Sequence, residues 1–129
     1  MKINRLDLKN DYDDIKSLFA TYEQDAPSYH FSSPFGITAR NDKNELVGCF
    51  FLYLSFGVPT CLLRFPIISK TEDKNKVFSE MMKECRVFLK EFGYEYILCS
   101  TPHKGLINKL KENNYTEEVS GCSHLIGVV

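Results

Sequence analysis

Hydrophobic positions recur along this chain in two rhythms, and each rhythm predicts an element. Val77, Phe78, Met81, Met82, Cys85, Phe88, Leu89 and Phe92 fall three and four apart, with Lys76, Glu80, Lys83, Glu84, Lys90 and Glu91 between them. That spacing predicts an amphipathic helix over 76–92 with one broad apolar face. Gly93 can take the left-handed conformation that stops it. Tyr94 to Ser100 then reads as a strand, and Thr101-Pro102 breaks it. Upstream, Leu46 to Phe56 is nearly all apolar, as expected of a central strand covered on both faces.

The other elements follow the same logic. Residues 2–6 suit a short strand. Asn10 or Asp11 offers a cap for a helix over 12–24, where Tyr12, Ile15, Leu18, Phe19 and Tyr22 keep helical spacing. Residues 25–34 hold two prolines and three serines and predict a loop. Phe35 to Arg40 pairs with Leu46 to Phe56 as a hairpin across Asn41-Asp42-Lys43-Asn44. Thr60 to Ile68 completes a three-strand meander. Pro66 has no N–H for a ladder, so it belongs at an edge, at a bulge or where neighbouring strands part. Lys70 to Asn75 is a polar loop with Thr71 or Asp73 as a cap for the long helix. Lys104 to Asn113 predicts a short helix, with Leu106, Ile107 and Leu110 inward. Thr116 to Val129 predicts a hairpin turning near Ser120-Gly121. Helices on either side of an antiparallel meander predict a mixed α/β sheet, largely antiparallel and flanked by helices.

Composition narrows the function classes. The chain has 129 residues, suited to one domain over 1–129, and 43% of them are hydrophobic. Net charge is -1 with both signs interspersed, which argues against a nucleic-acid surface or a polybasic membrane anchor. No apolar run reaches the roughly 20 residues of a membrane span, and the charged N-terminus lacks a signal core. Cys49, Cys61, Cys85, Cys99 and Cys122 sit singly in apolar runs, without metal-ligand or redox spacing. Reduced, buried thiols and a cytoplasmic location are expected.

In this order of elements the chain resembles the GNAT (Gcn5-related N-acetyltransferase) superfamily. The resemblance lies in the hairpin NDKNELVGCFFLYL, the helix and strand KVFSEMMKECRVFLKEFGYEYILCS, and INKLKENNY after them. It covers nearly the whole chain through individually weak motifs. It implies that strands 60–68 and 94–100 splay apart and that acetyl-CoA binds in the cleft between them. The family holds the pyrophosphate on the backbone at the start of the long helix. Carried over, the cofactor residues are Ile67, Ile68, Lys70, Lys74, Asn75 and Lys76, and the acceptor is a small-molecule or protein amine. Tyr22, Tyr29, His30 and Tyr53 are the candidate acceptor-binding residues, and His103 is the candidate acid or base.

The chain departs from the family in two places. The family loop carries Arg or Gln and two small residues where this chain has Asp73, Lys76 and Phe78. The family's acid tyrosine falls on Leu110, and strand 60–68 supplies Arg64 but no carboxylate. Two readings follow. One is an acetyl-CoA-dependent N-acyltransferase with a lysine-based phosphate site, working mainly by proximity. The other is a catalytically inactive GNAT-like module that binds a protein partner through Tyr29 and Phe31, for example in a phage assembly.

Overall fold

A computed structural model describes residues 1–100, 104–113, 115–119 and 124–129. Its strands are β1 (Lys2–Arg5), β2 (Gly36–Arg40), β3 (Leu46–Leu54), β4 (Thr60–Ile68), β5 (Tyr96–Ser100), β6 (Tyr115–Val119) and β7 (His124–Val128). Its helices are α1 (Leu8–Ala20), α2 (Lys74–Glu91) and α3 (Lys104–Glu112). The strands form one seven-stranded sheet in the order β1-β2-β3-β4-β5-β7-β6. Every pairing is antiparallel except β4 with β5, whose parallel crossover is supplied by α2. This is the mixed, largely antiparallel sheet that the sequence predicts. The predicted turn near Ser120-Gly121 lies outside the described residues.

β3 is central and buried on both faces. Phe50 and Leu52 join Val77, Phe78, Met81, Met82, Cys85, Phe88 and Leu89 of α2 in one core. Cys49 and Phe51 join Ile15, Leu18 and Phe19 of α1, with Ile67, in the other. Full burial of one such side chain contributes about 1.5–3 kcal/mol, so α2 is held chiefly by its apolar stripe. Gly48 lets α2 come close: a Cβ there would lie 2.9 Å from Met81 Sδ and 3.2 Å from Val77 Cγ1.

The ends of α2 follow from local chemistry. Asp73 caps the first turn, its Oδ1 accepting from the Lys76 N–H at 3.3 Å. At the other end Gly93 has φ 78°, Tyr94 N–H donates to Leu89 O and Gly93 N–H to Lys90 O. That pair of bonds is a Schellman motif.

α1 differs from expectation. It begins at Leu8, not Tyr12, and ends at Ala20, so Tyr22 lies beyond it. Neither Asn10 nor Asp11 is its cap. Asp7 holds that position without a side-chain cap bond of its own, and Asp11 Oδ2 reaches back to accept from the Asp7 N–H at 2.9 Å, which ties down the first turn. Asp11 is buried because Arg40 also binds it, at 2.8 Å, along with Asp14 at 2.9 Å. Burial lowers the Arg40 pKa, but hydrogen bonds and charge from the two carboxylates more than offset this and hold it above its ordinary value. Among the described residues, no helix is long and apolar enough to cross a membrane.

Candidate functional site

β4 and β5 pair at only three positions, Thr60 with Tyr96, Cys61 with Ile97 and Leu62 with Leu98. Beyond Leu62, β4 runs on to Ile68 with β3 as its strand partner among the described residues. Its β5-side edge has no strand on it among those residues, and such edges are templates for an extended ligand.

A bulge produces the parting. Cys49 pairs with Ile67 and Phe51 with Arg64, so Phe65 and Pro66 together oppose Phe50. Phe65 takes φ 55°, a left-handed conformation that costs a bulky residue about 1–3 kcal/mol. Its ring is held against Phe51 and Tyr53, with centroids at 6.3 Å and 6.4 Å. Pro66 sits in the bulge, as its missing N–H requires.

Two cavities follow one another along this edge. One, of about 360 Å³, opens at the fork and is lined by Leu62, Leu63, Arg64 and Leu98. The other, of about 350 Å³, lies further along β4 and is lined by Pro66, Ile67, Ile68, Tyr22, Gln24, Lys74, Phe78, Gly105 and Leu106. The first has an apolar floor. The second ends in positive charge at the start of α2.

Tyr22 organises that charged end. Its hydroxyl donates to the Ile68 carbonyl, tying the segment after α1 to the last residue of β4. Its ring carries two ammonium groups, Lys70 Nζ at 4.7 Å and Lys74 Nζ at 5.3 Å from the centroid. Lys70 also donates to the Thr21 carbonyl at 3.1 Å. Asn75 and Lys76 are exposed on the first turn of α2. The Asp73 carboxylate occupies the Lys76 N–H, one of the donors that an anion at this helix end would use.

The sequence-derived candidates thus divide. Tyr22, Ile67, Ile68 and Lys74 line one cavity and Lys70 adjoins it. Tyr53 is near the fork, beneath Arg64, and its hydroxyl donates to Phe31 O at 3.3 Å. Tyr29 and His30 lie apart on a single 3-10 turn, where Tyr29 packs edge-on against both Tyr12 and His30. Neither lines the two cavities. His103 lies outside the described residues. Sequence reasoning passed over Arg64, Phe65 and Leu98 as site residues. The Phe65-Pro66 step inside an apolar strand was the signal available.

The chemistry open to the described lining is limited. It contains no carboxylate, histidine or thiol. The nearest thiols flank the fork on β4 and β5. Burial pushes Cys61 up to about 12 and Cys99 up to about 11, so both stay protonated at neutral pH. The groove can position and desolvate a reactant. It offers no side-chain nucleophile among the described lining residues.

No protein-family model matches the sequence, nor does any curated protein. Solved structures match its fold along nearly its whole length. The aminoglycoside 6'-N-acetyltransferase from Enterococcus faecium superposes with a TM-score of 0.81 at 14% identity, over 99% of this chain and 97% of that one. Tetrahymena GCN5 gives 0.79 at 12% identity, over 100% and 96%. A GNAT family N-acetyltransferase from Escherichia coli, solved in complex with CoA, gives 0.69 at 13% identity, over 98% and 80%.

Proposed function

We propose that this chain, which has the fold of the GNAT N-acetyltransferases, is an acetyl-CoA-dependent N-acyltransferase whose phosphate site is built from lysines. The observation that carries the reading is the bulged edge of β4 from Leu63 to Ile68, which has no strand on its β5 side among the described residues and a cavity at each end. Phe65 holds a strained left-handed backbone there, and such irregularity concentrates at functional sites.

The residues fit the group. The edge at Ile67 and Ile68, whose Ile68 carbonyl already accepts from the Tyr22 hydroxyl, would hold the amides of an extended pantetheine arm through its remaining groups, and Lys70 and Lys74 would hold the phosphates. With Asp73 on the Lys76 N–H, phosphate contact falls to the lysines more than to the loop backbone. Acetyl-CoA would supply the acyl group as a thioester. The fork at Leu62, Leu63 and Leu98 would give the reacting atoms an apolar floor on a cavity that stays open to water. A neutral amine then forms the C–N bond, the C–S bond breaks with its electron pair on sulfur, and the amine's proton passes through water to the thiolate. With no base among the described lining residues, the rate rests on proximity.

The test is release of the CoA thiol from acetyl-CoA in the presence of amines. Turnover in the wild-type chain, at least about tenfold weaker when Lys70 and Lys74 are both changed to Glu, supports the reading. Absence of turnover and of acetyl-CoA binding overturns it.

A second reading, an inactive module that retains the fold, is favoured by the Asp73 cap, which sets a carboxylate where an anion would dock. Exposed Phe31, at 83% accessibility, would be its partner anchor. It predicts no acetyl-CoA binding, and a protein partner whose capture is lost in Phe31→Ala.

A further inference from the structure

The chain has four arginines, and three have acceptors within the protein. Arg5 pairs with Glu84 and Glu91. Arg40 pairs with Asp11 and Asp14 and also donates to the Asn44 carbonyl. Arg86 donates to the carbonyls of Val128 and Asn113. Arg64 alone has no acceptor among the described residues. Its guanidinium lies instead over two rings, 5.0 Å from the centroid of Phe65 and 5.9 Å from that of Tyr53.

That arrangement has a physical consequence. A guanidinium held over aromatic faces keeps its N–H edges open to solvent and to a ligand, and those edges match a carboxylate in two parallel bonds. Arg64 is exposed and also lines the fork cavity beside Leu62, Leu63 and Leu98. It is adjacent to Phe65, whose left-handed backbone makes the bulge. A fork donor with no protein acceptor among the described residues therefore stands beside a leucine-floored cavity where β4 and β5 part.

We infer that Arg64 recognises a carboxylate on the acceptor, and that the acceptor is an amine joined to that carboxylate by a short chain, as in an amino acid. The inference rests on the acyl-transfer reading above. Lysines at the far end of the groove take the phosphates, so the fork is left for the amine. Arg64 binds the carboxylate, the short chain lies on Leu62 and Leu98, and the amine faces the bulge. Arg64 is a substrate-recognition residue and moves no proton.

The experiment compares glycine, β-alanine, 4-aminobutanoate and glutamate with their amides as acceptors in the thiol-release assay, using wild type, Arg64→Gln and Arg64→Lys. In the wild type, at least one acid is expected to exceed its amide in kcat/KM by about tenfold or more, from two charge-assisted bonds. In Arg64→Gln that ratio falls to near one through a raised KM, and Arg64→Lys, which keeps the charge without the planar fork, restores it only in part. Equal use of acids and amides by the wild type overturns the inference, as does a preference that survives in Arg64→Gln. Either result leaves acyl transfer standing. Failure of the wild type to bind acetyl-CoA in calorimetry defeats acyl transfer itself and this inference with it.

Discussion

The Asp73 carboxylate accepts the backbone N–H of Lys76 at 3.3 Å, so α2 is capped from within at the end that faces the groove. This contact explains how a helix without loop glycines stays ordered at its start. It also sets a negative charge beside Lys74. Asp73→Asn keeps a good cap and removes the charge. Acetyl-CoA affinity of that variant is expected to rise about two- to fivefold. Asp73→Ala loses the cap and is expected to cost about 1 kcal/mol of stability. Calorimetry and denaturant titration read the two effects separately.

The fork is expected to be sensitive to filling. Leu98 and Leu62 form the last β4–β5 pair and border the cavity there. Leu98→Trp places an indole in that space. Turnover is expected to fall at least tenfold, while acetyl-CoA, held mainly at the lysine end, keeps most of its affinity. Parallel loss of affinity and turnover would show that the ligand does not divide between two ends.

The thiols give a pH prediction. Burial holds Cys61 at about 12 and Cys99 at about 11, against 9.0 for an ordinary thiol. Between those values the unfolded chain has lost protons that the folded chain keeps, so unfolding is favoured as pH rises. The stability these thiols contribute is full below about pH 9, declines above it and is lost as pH passes through 11 to 12. Urea titrations from pH 7 to 11 are expected to show the decline, and Cys61→Ala to reduce it in part, since burial also raises Cys49, Cys85 and Cys99. In the native protein at neutral pH, alkylation of Cys61 by iodoacetamide is expected to be slow and to accelerate on unfolding.

The sequence made the sheet and α2 legible because their signals are local. Eight apolar positions at helical spacing mark α2, and Gly93 marks its end. Pro66 announced the irregular strand by a missing donor. The start of α1 was less legible, and the sequence pointed to Asn10 or Asp11 as its cap. The start is set instead by the Asp11 carboxylate reaching back to the Asp7 N–H and by Arg40, a residue of β2 that the helix reaches only in the folded chain. Arg64 was legible as a cation but not as a side chain of the fork. Its place over the rings depends on Tyr53, brought across from β3 by the register, and on the backbone of Phe65, which the bulge turns to φ 55°. Tyr22 is the converse case. Helical phase placed it on α1, yet it acts beyond the helix end, joined to Ile68 and covered by Lys70 and Lys74.

The most direct test of the account is calorimetric titration of the wild-type chain and of the Lys70→Glu, Lys74→Glu double variant with acetyl-CoA. The account predicts a single site with Kd on the order of 10 µM in the wild type, weakened at least about tenfold in the variant. No heat of binding up to millimolar acetyl-CoA, or equal affinity in the two proteins, would contradict it.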